Sequence, residues 1–449
     1  MYKIKLLLSL LSFGICFLAL AQTPGQPSKI LITDVNIFNG KDEKITKANI
    51  LIEGNLIKTI SSNPIPTDRS GNTLIIAGDG KYVIPGLIDA HTHLLFESIP
   101  KMQAMVSDFA FLNLFAAKAA EKQLMRGFTT VRDLGGGALT LAKAIDSGLA
   151  VGPRIFASGA FISQTGGHGD FGLPTDVPRK IGELSYPERN GMLAIADGAD
   201  QVLLRSREQL RQGAAQLKLM AGGGVSSNYD PLDVAQYTEE EFRAAVSAAE
   251  NWGTYVTVHA YTPNAIQTAI RAGVKCIDHG QLADEATAKL MAEKGIWWSL
   301  QPFLDDEDSN PHPEGSANRQ KQIEMTKGTD TAYALAKKYK IKTAWGTDCL
   351  FDSGLASKQG KQLSKLTRWY SPFEVLKMAT STNAELLGMS GKRSPYQAGK
   401  LGEISEGAYA DLILVDGNPL ENLSLIEDPE THFKVIMKDG IVYRNTLSD

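Results

Sequence analysis

The stretch Val83-Ile84-Pro85-Gly86-Leu87-Ile88-Asp89-Ala90-His91-Thr92-His93 constrains this chain more than any other. An apolar run ends in two histidines spaced i, i+2. In an extended strand, residues two apart share a face. Both imidazoles can therefore converge on one point at the strand's C-terminal end. Imidazole is the commonest protein metal ligand, and only seven histidines occur in 449 residues. Taken alone, the pair reads equally as a strand end carrying two surface histidines, so the rest of the chain must decide.

Beyond this stretch, strand candidates alternate with helical ones. The strands are expected at 82–88, 129–132, 154–157, 216–219, 255–258, 276–277, 296–299 and 342–344. Amphipathic stretches such as 239–251 and 284–294 fall between them, with Asp284 a suitable N-cap. This alternation predicts an α/β fold, a (β/α)8 TIM-like barrel over 83–395. A doubly wound sheet is the alternative, but no Gly-x-Gly-x-x-Gly fingerprint follows the first strand. The two ends read differently. Short strands punctuated by glycines fill 30–82. The region 396–449 holds Leu412-Ile413-Leu414-Val415 and two apolar runs joined by Lys438-Asp439-Gly440, a hairpin signal. Both ends together are expected to form one small composite β-sandwich domain.

Lys3 and Lys5 precede an apolar run from Leu6 to Leu20, followed by Ala19-Leu20-Ala21 at signal-peptidase spacing. Residues 1–21 read as a secretory signal peptide and 22–29 as a polar leader. The run is short for a membrane helix. The expectation is an exported protein, secreted or periplasmic, with no stable membrane span after cleavage. Hydrophobic content of 43% and net charge of −4 describe a globular chain, and no basic block points to a nucleic-acid partner. Cys276 and Cys349 would remain in the mature chain and read as free, buried thiols. A homo-oligomer stays open.

Barrel active sites sit at the C-terminal ends of the strands. At those ends stand His91 and His93, Lys218, His259, His279 and Asp348. Five of the six are good zinc ligands as they stand. Each has a plain structural reading alone, but their joint placement on five strand ends points to a metal site.

These residues, in this order and with Pro85-Gly86-Leu87-Ile88-Asp89-Ala90-His91-Thr92-His93, resemble the metal-dependent amidohydrolase superfamily. Gly399-Lys400-Leu401-Gly402-Glu403-Ile404 and the Glu406–Leu412 stretch resemble its return to the small β-domain. The resemblance implies two divalent metal ions, with zinc favoured by the nitrogen-rich ligands. His91, His93 and Asp348 would hold one, and His259 and His279 the other. Lys218, carboxylated by a CO2-derived carbamate, would bridge them. It also implies amide hydrolysis by a metal-bridging hydroxide, with Asp348 as catalytic base and then acid.

The loop Ser163-Gln164-Thr165-Gly166-Gly167-His168-Gly169-Asp170 and the sequence His259-Ala260-Tyr261 resemble one branch of the family. That branch holds prolidase-like dipeptidases, Xaa-Arg/Lys carboxypeptidases and ochratoxin-type amidases. It implies a small carboxylate-bearing substrate, a dipeptide or an N-acyl amino acid, with His168 and Tyr261 facing its carbonyl or carboxylate. Arg132 is a further candidate donor, and Asp305 to Asp308 a candidate attractor of a basic side chain. The alternatives are a cyclic amide hydrolase or deaminase resembling imidazolonepropionase, and a non-catalytic scaffold.

Overall fold

Both chain ends enter one sheet. In the computed structural model, which describes residues 28–67, 72–180, 182–309 and 311–447, five strands open the chain. They are β1 (Lys29–Phe38), β2 (Ile45–Glu53), β3 (Leu56–Ser61), β4 (Thr73–Ala77) and β5 (Tyr82–Pro85). The expected signal peptide and most of the leader lie outside the described residues.

Ten strands follow in the middle of the chain. They are β6 (Leu87–Thr92), β7 (Phe128–Asp133), β8 (Arg154–Ala157), β9 (Phe161–Ser163), β10 (Leu193–Ile195), β11 (Leu217–Met220), β12 (Val256–Ala260), β13 (Cys276–His279), β14 (Trp297–Leu300) and β15 (Thr343–Trp345). The chain closes with β16 (Leu412–Val415), β17 (Phe433–Lys438) and β18 (Ile441–Asn445).

The end sheet runs β18-β17-β16-β5-β1-β2-β3, with β4 also paired to β1. The antiparallel join of β16 to β5, with Leu412 opposite Pro85, stitches the C-terminal strands to the N-terminal ones. The β17–β18 turn uses Asp439 at φ 57° and Gly440 at φ 71°, the left-handed pair that a tight hairpin demands. A side chain on Gly440 would collide with the Gly54 carbonyl, so this turn packs against the β2–β3 turn. The apolar interior includes Ile32, Ile50, Val83, Leu412 and Val435, all buried.

The middle strands are parallel in two sheets, β6-β7-β8 and β10-β9-β11-β12-β13-β14-β15. Their edges meet. The Asn383 side-chain amide donates to the carbonyls of Ile88 on β6 and Trp345 on β15. The Ala215 N–H donates to the Ala157 carbonyl at the end of β8. Parallel strands require crossovers, and helices supply them. The helix Glu239–Trp252 starts on a Thr238–Glu241 capping box and ends on Gly253 at φ 71°. Glu285–Lys294 starts on Asp284, whose carboxylate accepts from the Thr287 N–H, as its sequence suggests. Among the described residues no helix is long and apolar enough to cross a membrane.

The expected strand 82–88 is two strands. β5 belongs to the end sheet and β6 begins the parallel set. Gly86 marks the break, because a Cβ there would lie 2.1 Å from the Thr129 hydroxyl. β9 and β10 escape a sequence reading because three residues carry too little periodicity to register. Trp297 and Trp298 are both buried but join different apolar clusters, as alternation along a strand requires. Cys276 and Cys349 are free and buried.

Candidate active site

Five strand ends deliver six side chains to one place. β6 ends at His91 and Thr92, with His93 next. β11 carries Lys218, β12 His259, β13 His279, and Asp348 follows β15. All six line a single cavity of about 410 Å3. His91 Nε2 lies 3.2 Å and His93 Nε2 3.3 Å from the same oxygen, Asp348 Oδ1. His279 Nε2 lies 3.8 Å from the other oxygen. The His259 and His279 rings meet edge to face at 4.6 Å, and His279 and His91 stand 4.9 Å apart. The single-atom ligands of His91, His93 and Asp348 all fall within 4.8 Å of one another, a spacing one metal ion can span.

The outer ring nitrogens are tethered. His93 Nδ1 lies 3.1 Å from the Gly135 carbonyl, and His279 Nδ1 2.7 Å from Gln301 Oε1. Such tethers fix ring orientation and leave the opposite nitrogen for a metal. Beneath His91, the Asp89 carboxylate accepts from the His91 and Thr347 N–H groups, the Thr347 hydroxyl and the Gln359 amide. It thereby joins the end of β6 to the end of β15. His279 (φ 74°) and Asp348 (φ 49°) both hold left-handed backbone. That conformation costs of order 1–3 kcal/mol per non-glycine residue and concentrates at functional sites.

Lys218 is buried under the cluster, its Nζ donating to Asp278 Oδ2 at 2.7 Å. Burial depresses its pKa, and Asp278 opposes this only in part. Asp278 is the residue that sequence reasoning missed. It also accepts from Arg132 Nη2 at 2.7 Å and from the Thr257 hydroxyl at 2.7 Å. Burial pushes its pKa up, but Lys218 and Arg132 overcome this and hold it well below the usual carboxylate range. The sequence did hold a signal. Cys276 and Asp278 alternate on β13, so an acid two residues from a buried thiol shares its inward face.

Burial, the largest single influence, acts to lower the His91 pKa, yet Asp348 and Asp278 together outweigh it and the pKa rises. Burial and the neighbouring histidines hold His259 well below its ordinary value, and burial takes His279 down to about 3. Both are neutral imidazoles with a lone pair to share at neutral pH. Asp348 is ionised, since the histidines around it overcome the effect of burial. Its side chain, 13% exposed, is the most accessible of the three clustered groups. The donor set of imidazoles and one ionised carboxylate fits a divalent cation.

His168 stacks on His259 with ring centres 4.0 Å apart. Its Nδ1 lies 2.8 Å from the Ser227 hydroxyl oxygen, and among the described residues its Nε2 has no hydrogen-bond partner. A Cβ on Gly224 would sit 1.9 Å from the His168 ring, so only glycine permits this packing. Tyr261 contacts both His259 and His279, at 4.9 and 5.3 Å between ring centres. Its hydroxyl has no hydrogen-bond partner among the described residues, and burial raises its pKa well above 10, so it stays a donor.

Two expectations need correction. Arg132 is no substrate donor. It is wholly buried below the cavity, held by Asp278, the Tyr255 hydroxyl and the Ala90 carbonyl. The acidic run is no attractor either. Asp305 pairs with Arg319, Asp306 with Lys365, and Asp308 with Lys358 and Lys361.

Comparison with known proteins gives a consistent result. The model of the amidohydrolase family matches residues 82–445. The ochratoxinase of Aspergillus niger is 32% identical over 429 residues, which cover 91% of this chain and 85% of that one. A solved prolidase bound to N-methylphosphonate-L-proline is 32% identical with a TM-score of 0.82, covering 93% of this chain and all of the other. A solved Xaa-Pro dipeptidase with methionine in its active site is 30% identical with a TM-score of 0.78 over the same shares. Similarity to the 5'-deoxyadenosine deaminase of Methanococcus vannielii is confined to 65 residues, 14% of this chain.

Proposed function

The chain belongs to the amidohydrolase family, and on that premise we propose that it hydrolyses the amide or peptide bond of a small carboxylate-bearing substrate, a dipeptide or an N-acyl amino acid. It is a hydrolase acting on C–N bonds. The observation that carries this reading is the convergence of His91, His93, Lys218, His259, His279 and Asp348 on one cavity. Neither the deaminase alternative nor the scaffold alternative has an observation of equal weight. The first rests on two short alignments, of 65 and 66 residues. The second predicts missing ligands, whereas all six positions are filled.

The donor chemistry fits two divalent ions, zinc by preference for imidazole. His91, His93 and Asp348 would hold one and His259 and His279 the other, with Lys218 between them as its carbamate. A buried amine of depressed pKa is the form that condenses with CO2. Asp278 would keep Arg132 and Thr257 as partners after Lys218 is modified. When bound, the metals supply a water of lowered pKa and polarise the scissile carbonyl.

The chain's own groups then move the protons. Asp348, ionised and partly exposed, takes the proton of the attacking water and delivers it to the leaving nitrogen. Its positive φ and the Asp89 network keep that carboxylate aimed between His91 and His93. Tyr261 donates its hydroxyl, and His168 offers Nε2, to the substrate's oxygens. Phe161, Phe171, Phe303 and Met325 line the same cavity and exclude water around the amide.

A (β/α)8 barrel over 83–395 is the architecture that best accommodates this site. Its closure is supported by the Asn383 bridge between β6 and β15 and the Ala215 bond to the end of β8. A composite β-domain from 30–82 and 396–449 would flank it. Export by the 1–21 segment completes the proposal. The test is a panel of dipeptides and N-acyl amino acids offered to zinc-loaded protein, with and without chelator. Chelator-sensitive release of free amino acid is expected. No turnover across the panel, or turnover indifferent to chelation, would overturn the reading.

A further inference from the structure

Residues 224–230 follow β11 and form neither helix nor strand. Their backbone carbonyls need partners from elsewhere, and side chains of distant segments supply them. Lys321 stands on the helix Ala317–Lys327, which follows β14. Its Nζ donates to the carbonyls of Gly224 at 2.9 Å, Ser227 at 3.0 Å and Asp230 at 2.8 Å. Three carbonyls use all three donors of an ammonium. Asn318 lies three residues earlier on the same helix face. Its amide donates to the Val225 and Ser227 carbonyls at 2.6 and 2.8 Å. A third segment joins in, where Lys101 at the start of the helix Lys101–Val106 donates to the Ser226 carbonyl at 2.8 Å.

The three residues that Lys321 gathers are the three that hold His168. Gly224 leaves room for its ring, since a Cβ there would lie 1.9 Å away. Ser227 Oγ lies 2.8 Å from His168 Nδ1 and donates its own proton to the Gly224 carbonyl at 3.2 Å. The Asp230 carboxylate stands 3.7 Å from the same Nδ1 and accepts from the Gly224 N–H at 2.8 Å. Ser227 and Asp230 are both buried. His168 lines the cavity, whereas Lys321 does not. What Lys321 does for the cavity it therefore does through this loop.

We propose that Lys321 is a positioning residue for substrate binding, assisted by Asn318. Its ammonium draws 224–230 around one point and so fixes the His168 ring on its stack with His259, where it meets a substrate oxygen. This rests on the amide-hydrolase reading above and on the substrate role given there to His168. A side chain outside the cavity, carried by the segment after β14, thereby sets the affinity of a side chain carried by the segment after β9.

The experiment is a double-mutant cycle on zinc-loaded full-length chain, with the best substrate of the panel above. Lys321→Met should raise KM about tenfold, what one hydrogen bond to a charged group contributes, while kcat falls far less. Lys321→Arg, which keeps the charge, should recover part of the loss. Asn318→Ala removes neutral hydrogen bonds and should raise KM about threefold. In a His168→Ala background each change should add less than about twofold, because its effect passes through the ring that is gone. A purely structural role gives the opposite pattern, a lower melting temperature with the full loss repeated in that background. Such additivity would overturn the proposal, as would an unchanged KM in Lys321→Met with normal zinc content. If Lys321→Met does not fold, the Asn318→Ala cycle decides by the same criterion. Unaltered kinetics in His168→Ala would overturn the proposal and leave the amidase reading standing. Absence of amide cleavage altogether would overturn both.

Discussion

The floor and the rim of the cavity follow different rules. On the floor, each functional side chain stands on or directly after a strand and is tied from behind. Asp278 alone is gripped by Lys218, Arg132 and Thr257. At the rim, side chains come from loops and a short helix, and their ties are to backbone carbonyls and to one another. Reaction geometry must hold to within about 0.5 Å, and rigid elements provide that. Substrate choice tolerates looser placement and resides in loops. Changes to the floor should therefore abolish chemistry or folding, whereas changes to the rim should shift preference.

The largest effect is expected at the most exposed floor residue. Asp348→Asn should lower kcat by about 10² to 10⁴-fold, with most of the metal still bound, as read by steady-state kinetics and metal analysis. Near-normal turnover would remove Asp348 from proton transfer. Chelation should abolish activity, and reconstitution should restore it at about two metal ions per chain. A plateau at one ion would show that His259 and His279 do not hold a second.

Asp278→Asn tests the floor's support. It leaves Arg132 and Lys218 buried without their counter-charge, and breaking a buried pair costs about 3–5 kcal/mol. The melting temperature should fall by many degrees, and metal uptake with it. An unchanged melting temperature would mean that the buried cations find other partners. Tyr261→Phe is a smaller change. It removes one donor, so kcat/KM should drop about tenfold with no loss of stability. Smallest is Asp305→Asn at the rim. Exposed ion pairs contribute little, so kcat/KM should move by less than about twofold. A larger change would return the acidic run to substrate recognition.

Much of the floor was legible in the sequence, because strands impose a two-residue period and parallel folds gather strand ends at one face. His91, His93, Lys218, His259, His279 and Asp348 all declared themselves that way. The capped helix at Asp284 and the Asp439-Gly440 hairpin declared themselves by local chemistry. β9 and β10 did not, since three residues carry no period. Asp278 was hidden beside a more conspicuous neighbour, His279. Arg132 was misjudged because its position at a strand end could not tell a donor to substrate from a donor to a buried carboxylate.

Sequence by itself determined the local states and the donor types. Periodicity, caps and turn residues act over a few residues, and a histidine brings its lone pair wherever it goes. Tertiary structure alone decided which groups are spent on each other. Asp305, Asp306 and Asp308 are neutralised by Arg319, Lys365, Lys358 and Lys361, partners 14 or more residues away. Lys321 is spent on three carbonyls of another loop, although nothing in its own segment marks it. Charge balance depends on distance in space, and burial sets how strongly each charge is felt. The two histidines of the opening stretch fixed where chemistry could occur. The packing around them fixed which charges were left to meet a substrate.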